Sequence, residues 1–271
     1  MKKWIFLTLL SLSLSGFTQM GDGALPVSPE IAFHPGEKLT YRVHYGFINA
    51  GEAVMEIHDK IQMVNDRPCY KINVEGKSTG MFDYMLRIRD TWGTYLDTTA
   101  LLPHRFYRYV EEGKYRKYEI TDFNRQKDSV IVKNLDKKNK KDVRKVQYFP
   151  IPENAHDMVS GYYYLRTLDY SKIKPGTIIE LDGFFENTSY NFPVRFMGKE
   201  MVNTDLGKLN ALVLQPIMPE NSLFSGEDAI KVYISDDTNK IPLKVKAEMF
   251  VGAVEIDITS YKVKGRSVNR R

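Results

Sequence analysis

The chain contains one cysteine, Cys69, in 271 residues. No intramolecular disulfide can staple it, so its stability must come from packing. Beyond the N-terminal segment it has no apolar run long enough to cross a bilayer as a helix. It also lacks the catalytic signatures that can be read locally: no G-x-S-x-G elbow, no H-E-x-x-H, no C-x-x-C, no P-loop and no Rossmann fingerprint. The nearest approach to an elbow, His156 to Gly161, lacks the first glycine and falls inside a helical pattern. The five histidines, His34, His44, His58, His104 and His156, are isolated in sequence. His44 and His58 fall on the polar side of adjacent strand patterns and could become cross-strand neighbours, too few ligands for a metal. Asp236 to Asn239 lacks the central glycine and distal glutamate of a calcium loop and reads as an Asx-rich turn. No metal, cofactor or catalytic residue is expected, although a carboxylate pair drawn from distant strands would leave no local trace.

What is present begins with a targeting pattern. Lys2 and Lys3 precede an apolar stretch, Trp4 to Phe17, that is too short to span a bilayer comfortably, and Ser15, Gly16 and Thr18 supply small residues near a cleavage position. Residues 1–19 are expected to be a signal peptide. Without a cysteine just after the apolar stretch there is no lipidation signal, so the expected product is exported, periplasmic and not lipidated. The net charge is +5, two units of which come from Lys2 and Lys3. The rest is concentrated in Lys133, Lys137, Lys138, Lys140, Lys141, Arg144 and Lys145, and again in the tail from Lys262 to Arg271. Nucleic acid is a poor partner for an exported chain. Peripheral contact with anionic lipid suits such patches, but a solvated hairpin tip and a frayed tail are the favoured account of them.

Apolar alternation dominates from residue 38 onward. Leu39, Tyr41, Val43, Tyr45 and Phe47 alternate with Lys38, Thr40, Arg42 and His44, a strand with one wet face. Ala53, Met55 and Ile57 continue the pattern beyond a turn at Asn49-Ala50-Gly51. Tyr70, Ile72 and Val74 repeat it, which predicts a meander. Residues 80–86 suggest a short helical turn. Two strands follow around Glu112-Gly113, and a long hairpin places the lysine cluster at its tip. After Lys174-Pro175-Gly176 a second strand series runs to the C-terminus, with Pro193 suggesting an edge or bulge and residues 216–226 a loop. Twelve to fourteen strands are expected.

One segment breaks this rhythm. Residues 154–170 carry Met158, Tyr162, Leu165 and Leu168 at helical spacing, with Asn154 as the cap and Asp157 three residues on. Tyr162, Tyr163 and Tyr164 run round this helix, more than one buried face should accept. Tyrosine suits a wall with an apolar body and a polar tip, so Tyr162, Tyr163, Tyr164 and Arg166 are the candidate ligand-binding residues.

Four stretches taken together resemble domain-of-unknown-function family 3108: residues 36–53 (GEKLTYRVHYGFINAGEA), 156–166 (HDMVSGYYYLR), 204–216 (TDLGKLNALVLQP) and 232–262. The resemblance implies an exported protein of the Gram-negative cell envelope and brings no catalytic residues. The expected fold is mainly β, an antiparallel large curved sheet or barrel-like structure with one central amphipathic helix. Residues 20–35 would be an extended lead-in, 36–262 a single domain whose strand series 36–149 and 174–262 are joined by helix 154–170, and 263–271 a basic tail. The expected role is that of a noncatalytic envelope protein binding an apolar or amphipathic, lipid-like ligand. The alternatives are an assembly factor docking another envelope protein and a hydrolase on envelope glycan or lipid.

Overall fold

A computed structural model describes residues 25–217, 226 and 228–264. The expected signal peptide, most of the 216–226 loop and nearly all of the basic tail lie outside the described residues. Fifteen strands and two helices are present among those described. The first series is β1 (Glu37–Tyr45), β2 (Ile48–Ile57), β3 (Gln62–Val64), β4 (Arg67–Ser78), α1 (Gly80–Met85), β5 (Arg89–Asp97), β6 (Pro103–Glu112), β7 (Tyr115–Asn124), β8 (Ser129–Leu135) and β9 (Val143–Pro150). After α2 (Met158–Leu165) come β10 (Ile178–Phe185), β11 (Thr188–Thr204), β12 (Gly207–Pro216), β13 (Ile230–Ser235), β14 (Pro242–Glu248) and β15 (Ala253–Val263).

All fifteen strands belong to one antiparallel sheet, in the order β10-β11-β12-β13-β14-β15-β1-β2-β4-β5-β6-β7-β8-β9, with β3 paired to β4. The two series meet at a central seam where β1 pairs β15, from Glu37 opposite Val263 to Tyr45 opposite Val254. Helix α2 lies between the two series along the chain, and the sheet itself is made continuous by this strand pair. Register shifts at Thr40/Tyr41, Tyr95/Leu96, Phe196/Gly198 and Tyr233/Ile234 bend the ladders, and bulges of this kind increase twist and curl. Sheet curvature brings the free edges together without closing them. The backbone of His156 bridges to β10, donating to the Asp182 carbonyl and accepting from Phe184 N–H, both at 2.8 Å. Phe184 packs its ring against Phe149 of β9, and the Ser189 hydroxyl donates to the Pro150 carbonyl at 3.2 Å. The sheet is barrel-like, with the segment around His156 filling the gap between its edges.

The interior is filled by the chain itself. Ile57, Ile72, Leu96, Phe106, Phe123 and Val130 point inward from the first series and pack against Phe33, Val159 and Tyr163. Leu165, Leu168 and Tyr170 pack against Ile179, Val194, Phe196, Leu212 and Ile234 of the second. A third cluster joins Leu39 and Tyr41 to Val213, Tyr233, Leu243 and Ile258. Residues 211–215 are buried on both faces, which explains why β12 reads as a continuous apolar run rather than an alternating one.

Several expectations are corrected. The helix spans Met158–Leu165 rather than 154–170, because Asp157 caps it: its carboxylate accepts from the Val159 and Ser160 amides while the Ser160 hydroxyl accepts from the Asp157 amide. A side chain that satisfies two orphan amides at once outcompetes Asn154 three residues upstream. Met158 is 46% exposed, so it does not belong to a buried stripe with Leu165 and Leu168. The lead-in is more than a tether: Val27 bridges Leu168, Ser28 N–H donates to the Thr167 carbonyl, and Phe33 is fully buried. Pro193 is neither on an edge strand nor in a bulge. It pairs Glu180 of β10 just beyond the last β12 pair, Val194–Pro216, and its carbonyl still accepts from Ile217 N–H at 2.9 Å, so the missing N–H falls at the frayed end of that ladder. His44 lies opposite Asn49 and Glu255, while Lys38 opposite Glu56 places His58 at the other end of the sheet. Among the described residues no group of three or more potential metal ligands forms.

Candidate functional site

The interior around α2 is the best-defined polar site in the molecule, and its geometry follows from the cap outward. Asp157 is 3% exposed and receives the Thr94 hydroxyl of β5 at 2.7 Å as well as the two helix amides. Burial pushes its carboxyl up to about 6, against the pull of those hydrogen bonds. The neighbouring His156 imidazole is also buried and is depressed to about 4, first by burial and then by the Arg125 guanidinium. Its Nδ1 lies 3.3 Å from the Ser160 hydroxyl. Ser160 is wholly buried and its hydroxyl is spent on the cap. Arg125 donates to the carbonyls of Pro103, Glu153 and Ala155 and so anchors the segment that leads into the helix.

The three successive tyrosines divide because α2 is surrounded by the sheet and has more than one buried side. Tyr163 faces the first cluster, 1% exposed, edge-on to Phe33 at 4.9 Å. Tyr164 packs in the second cluster and lies 5.2 Å from the His156 ring. Tyr162 touches both clusters. Arg166, the C-cap, is wholly buried. It makes a bidentate pair with Glu37 at the start of β1, 2.6 and 2.9 Å, and donates to the carbonyls of Ala32 and Asn239 at 3.1 and 2.8 Å. Its guanidinium also stacks on Phe33 and Tyr163, 5.3 and 5.1 Å from the ring centres. Burial opposes its charge, but the Glu37 carboxylate outweighs burial and raises its pKa.

Of the four residues nominated from the sequence, Tyr162, Tyr163 and Arg166 lie together with Glu37, whereas Tyr164 turns to the second cluster beside His156. Among the described residues the Tyr162 hydroxyl has no hydrogen-bond partner, and the Tyr163 hydroxyl and Arg166 Nε have none of good geometry, although Arg166 is close enough to Tyr163 to offset part of the rise that burial gives its pKa. Two open clefts of about 600 and 380 Å³ lie elsewhere and are lined by none of these residues. Their charges are largely self-paired, as in Lys38–Glu56 and Lys77–Glu52, both at 3.0 Å. Sequence reasoning missed Glu37, although the signal is there. Glu37, Leu39 and Tyr41 share one face by period two, which puts a carboxylate on the apolar side of β1.

Fold and interior together define a class: a one-sheet, barrel-like β protein whose lumen is filled by its own helix and lead-in. The chain belongs to the family described as protein of unknown function DUF3108, whose model matches residues 40–259. Among solved structures it is similar to a β-barrel-like protein of domain of unknown function DUF1849 from Brucella abortus, with a TM-score of 0.55 and 10% identity over 89% of this chain and 99% of that one. At this identity the likeness concerns the fold alone. A hypothetical protein from Chlamydia trachomatis is similar with a TM-score of 0.37 and 10% identity, covering 87% of this chain and 90% of that one. No curated protein matches the chain.

Proposed function

We propose that the protein is a noncatalytic, exported component of the cell envelope, periplasmic and unlipidated, that receives the polar end of an apolar or amphipathic ligand at Tyr162, Tyr163, Tyr164 and Arg166. The observation that carries this reading is a buried group of polar atoms on Tyr162, Tyr163 and Arg166 whose hydrogen-bonding capacity is not filled by geometry, set among the rings of Phe33, Tyr162 and Tyr163. Each unsatisfied buried group costs about 1–3 kcal/mol, so a carboxyl, hydroxyl or phosphate placed among them would be strongly held. Export is supported by the charged and apolar pattern of residues 1–19, and the absence of a lipid anchor by the burial of Cys69 in β4.

The hydrolase alternative draws no support from His156, Asp157 and Ser160, because the Ser160 hydroxyl is buried and engaged in the cap. The assembly alternative rests on a sheet edge or on the basic hairpin that carries Lys137, Lys138, Lys140 and Lys141. Of these, Lys140 binds Glu111 at 2.9 Å and lies over the Tyr118 ring at 4.4 Å, which leaves the other three for such a contact.

Native mass spectrometry of the protein, with analysis of its organic extract, tests the ligand reading. An apolar or amphipathic molecule is expected at near one equivalent, and its retention should fall in the Tyr162→Phe/Tyr163→Phe variant while thermal stability is kept. A ligand-free protein, or retention indifferent to both hydroxyls, overturns it.

A further inference from the structure

One end of the sheet has an unusual surface. Antiparallel pairing places the β1–β2 turn, α1, the β6–β7 turn, the β8–β9 tip and the β14–β15 turn at the same rim. Phe47 is fully exposed at the first of these, and Tyr84 and Met85 are 93% and 75% exposed on α1. Phe250 and Val251 are 66% and 75% exposed on the last. Scattered exposed apolar residues are ordinary; five on three adjoining tips are not.

These tips are braced. The Tyr45 hydroxyl donates to the Val251 carbonyl at 2.8 Å, Gly46 N–H donates to the Ala253 carbonyl at 3.0 Å, and the Tyr45 ring packs edge-on against Phe82. Helix α1 has no buried residue and is held by its polar side instead. Asp83 accepts from Arg89 and from the Ser78 hydroxyl, each at 2.6 Å, and those two bonds keep its carboxyl down near 2. The usual amphipathic arrangement is inverted: the carboxylate faces the protein and the apolar side chains face out.

Basic residues flank the apolar tips. Among the described residues Arg87 and Lys114 form no ion pair at the rim, Arg87 being near enough to Asp83 only to help lower its carboxyl, and Lys137, Lys138 and Lys141 form none on the neighbouring tip. The ion pairs in this neighbourhood engage other cations, as in Arg144–Asp136 and Lys140–Glu111.

We propose that this rim docks on an anionic lipid surface, with Phe47, Tyr84, Met85 and Phe250 entering the headgroup region and the unpaired cations meeting phosphates. A protein partner would require a continuous, shape-complementary face. Separate protruding tips bearing aromatic and methionine side chains, with cations beside them, match a fluid interface that closes round each one. The site is independent of the interior ligand cluster, and either can fail alone.

Co-sedimentation of the full chain with phosphatidylglycerol vesicles and with phosphatidylcholine vesicles tests the proposal. Binding is expected on the anionic vesicles and is weakened by salt. A Phe47→Ser/Tyr84→Ser/Phe250→Ser variant and a Lys137→Glu/Lys138→Glu/Lys141→Glu variant should each lose at least tenfold in partitioning, on the scale of roughly fivefold per cation near an anionic leaflet. Both should keep the wild-type melting curve. Residues 1–19 are common to all variants, so differences report the rim. A Tyr84→Trp reporter should shift its emission to the blue on anionic vesicles. Equal partitioning of all variants, or an unmoved reporter, overturns the proposal. Self-association of wild type that the apolar variant abolishes, without vesicle binding, also overturns it and assigns the rim to a second copy of the chain.

Discussion

Substitution at Glu37 offers the most direct test of how this interior is held. The carboxylate is 1% exposed and its partner Arg166 is wholly buried, so Glu37→Gln keeps the shape and strands a cation in an apolar site. Breaking a buried pair from one side costs about 3–5 kcal/mol. Arg166→Met should sit at the upper end, since it also strands the Ala32 and Asn239 carbonyls. Against a total stability of about 5–15 kcal/mol, either change consumes a large share. With an m-value near 3 kcal/mol per molar urea, the unfolding midpoint should fall by about 1–1.7 M. The Glu37→Gln/Arg166→Met double variant removes both charges and should recover much of the loss, giving a coupling of about 3 kcal/mol in a double-mutant cycle. Urea titration followed by far-ultraviolet circular dichroism reads all four corners. Single variants within about 1 kcal/mol of wild type, with additive effects, would refute the account of Arg166 as a cation held by Glu37.

Other expectations follow from neighbouring groups. Burial raises Asp157 to about 6, so its contribution to stability is greatest below the unfolded carboxylate range and is lost as pH rises through 6. His156, lowered to about 4, has the opposite sign: its contribution is full above its unfolded value and is lost as pH falls toward 4. The two terms, each about 3 kcal/mol, should nearly cancel in wild type. Asp157→Asn keeps a capping side chain and should unmask acid sensitivity in thermal melts between pH 4 and 6; an unchanged profile would contradict the pairing. Gly93 lies under the Tyr107 ring, and an added Cβ would also come within 2.8 Å of the Ile72 carbonyl. Gly93→Ala should therefore cost about 1–3 kcal/mol through overpacking, measured as a lowered melting temperature. The Cys69 thiol is buried and raised by that burial to about 11, so it should resist aromatic disulfide reagents in the native state and react fully in urea.

The strands were largely readable because one-face burial imposes a period of two: Leu39 and Tyr41 against Lys38 and Arg42 announce β1 directly. Family membership was readable from four motifs in order. The helix boundaries were not, because Asn154 and Asp157 are both good caps, and the Ser160 hydroxyl decides between them only by completing a reciprocal pair. The division of Tyr162, Tyr163 and Tyr164 was half legible. Their number exceeds one buried face, yet only the curling of the sheet round α2 supplies the second. The role of Phe33 was hidden among prolines, since a strap crossing the interior has no periodicity to read. The apolar rim was hidden for a different reason. Phe47, Tyr84 and Phe250 are distant in sequence, and each alone looks like an ordinary core residue.

The seam between β1 and β15 sets the order in which this molecule can be completed. Every other strand pair in the sheet joins neighbours close along the chain, so either half can begin pairing as soon as its own residues are available. The two halves cannot be joined until Ala253–Val263 exists to meet Glu37–Tyr45. Arg166 reaches Glu37 across 129 positions, so the ion pair ties the finished seam to the helix between the halves. A chain emerging from its N-terminus thus carries an open edge on β1 until almost its last strand. The sheet is therefore made continuous only when the first and last of its described strands, far apart along the chain, meet each other.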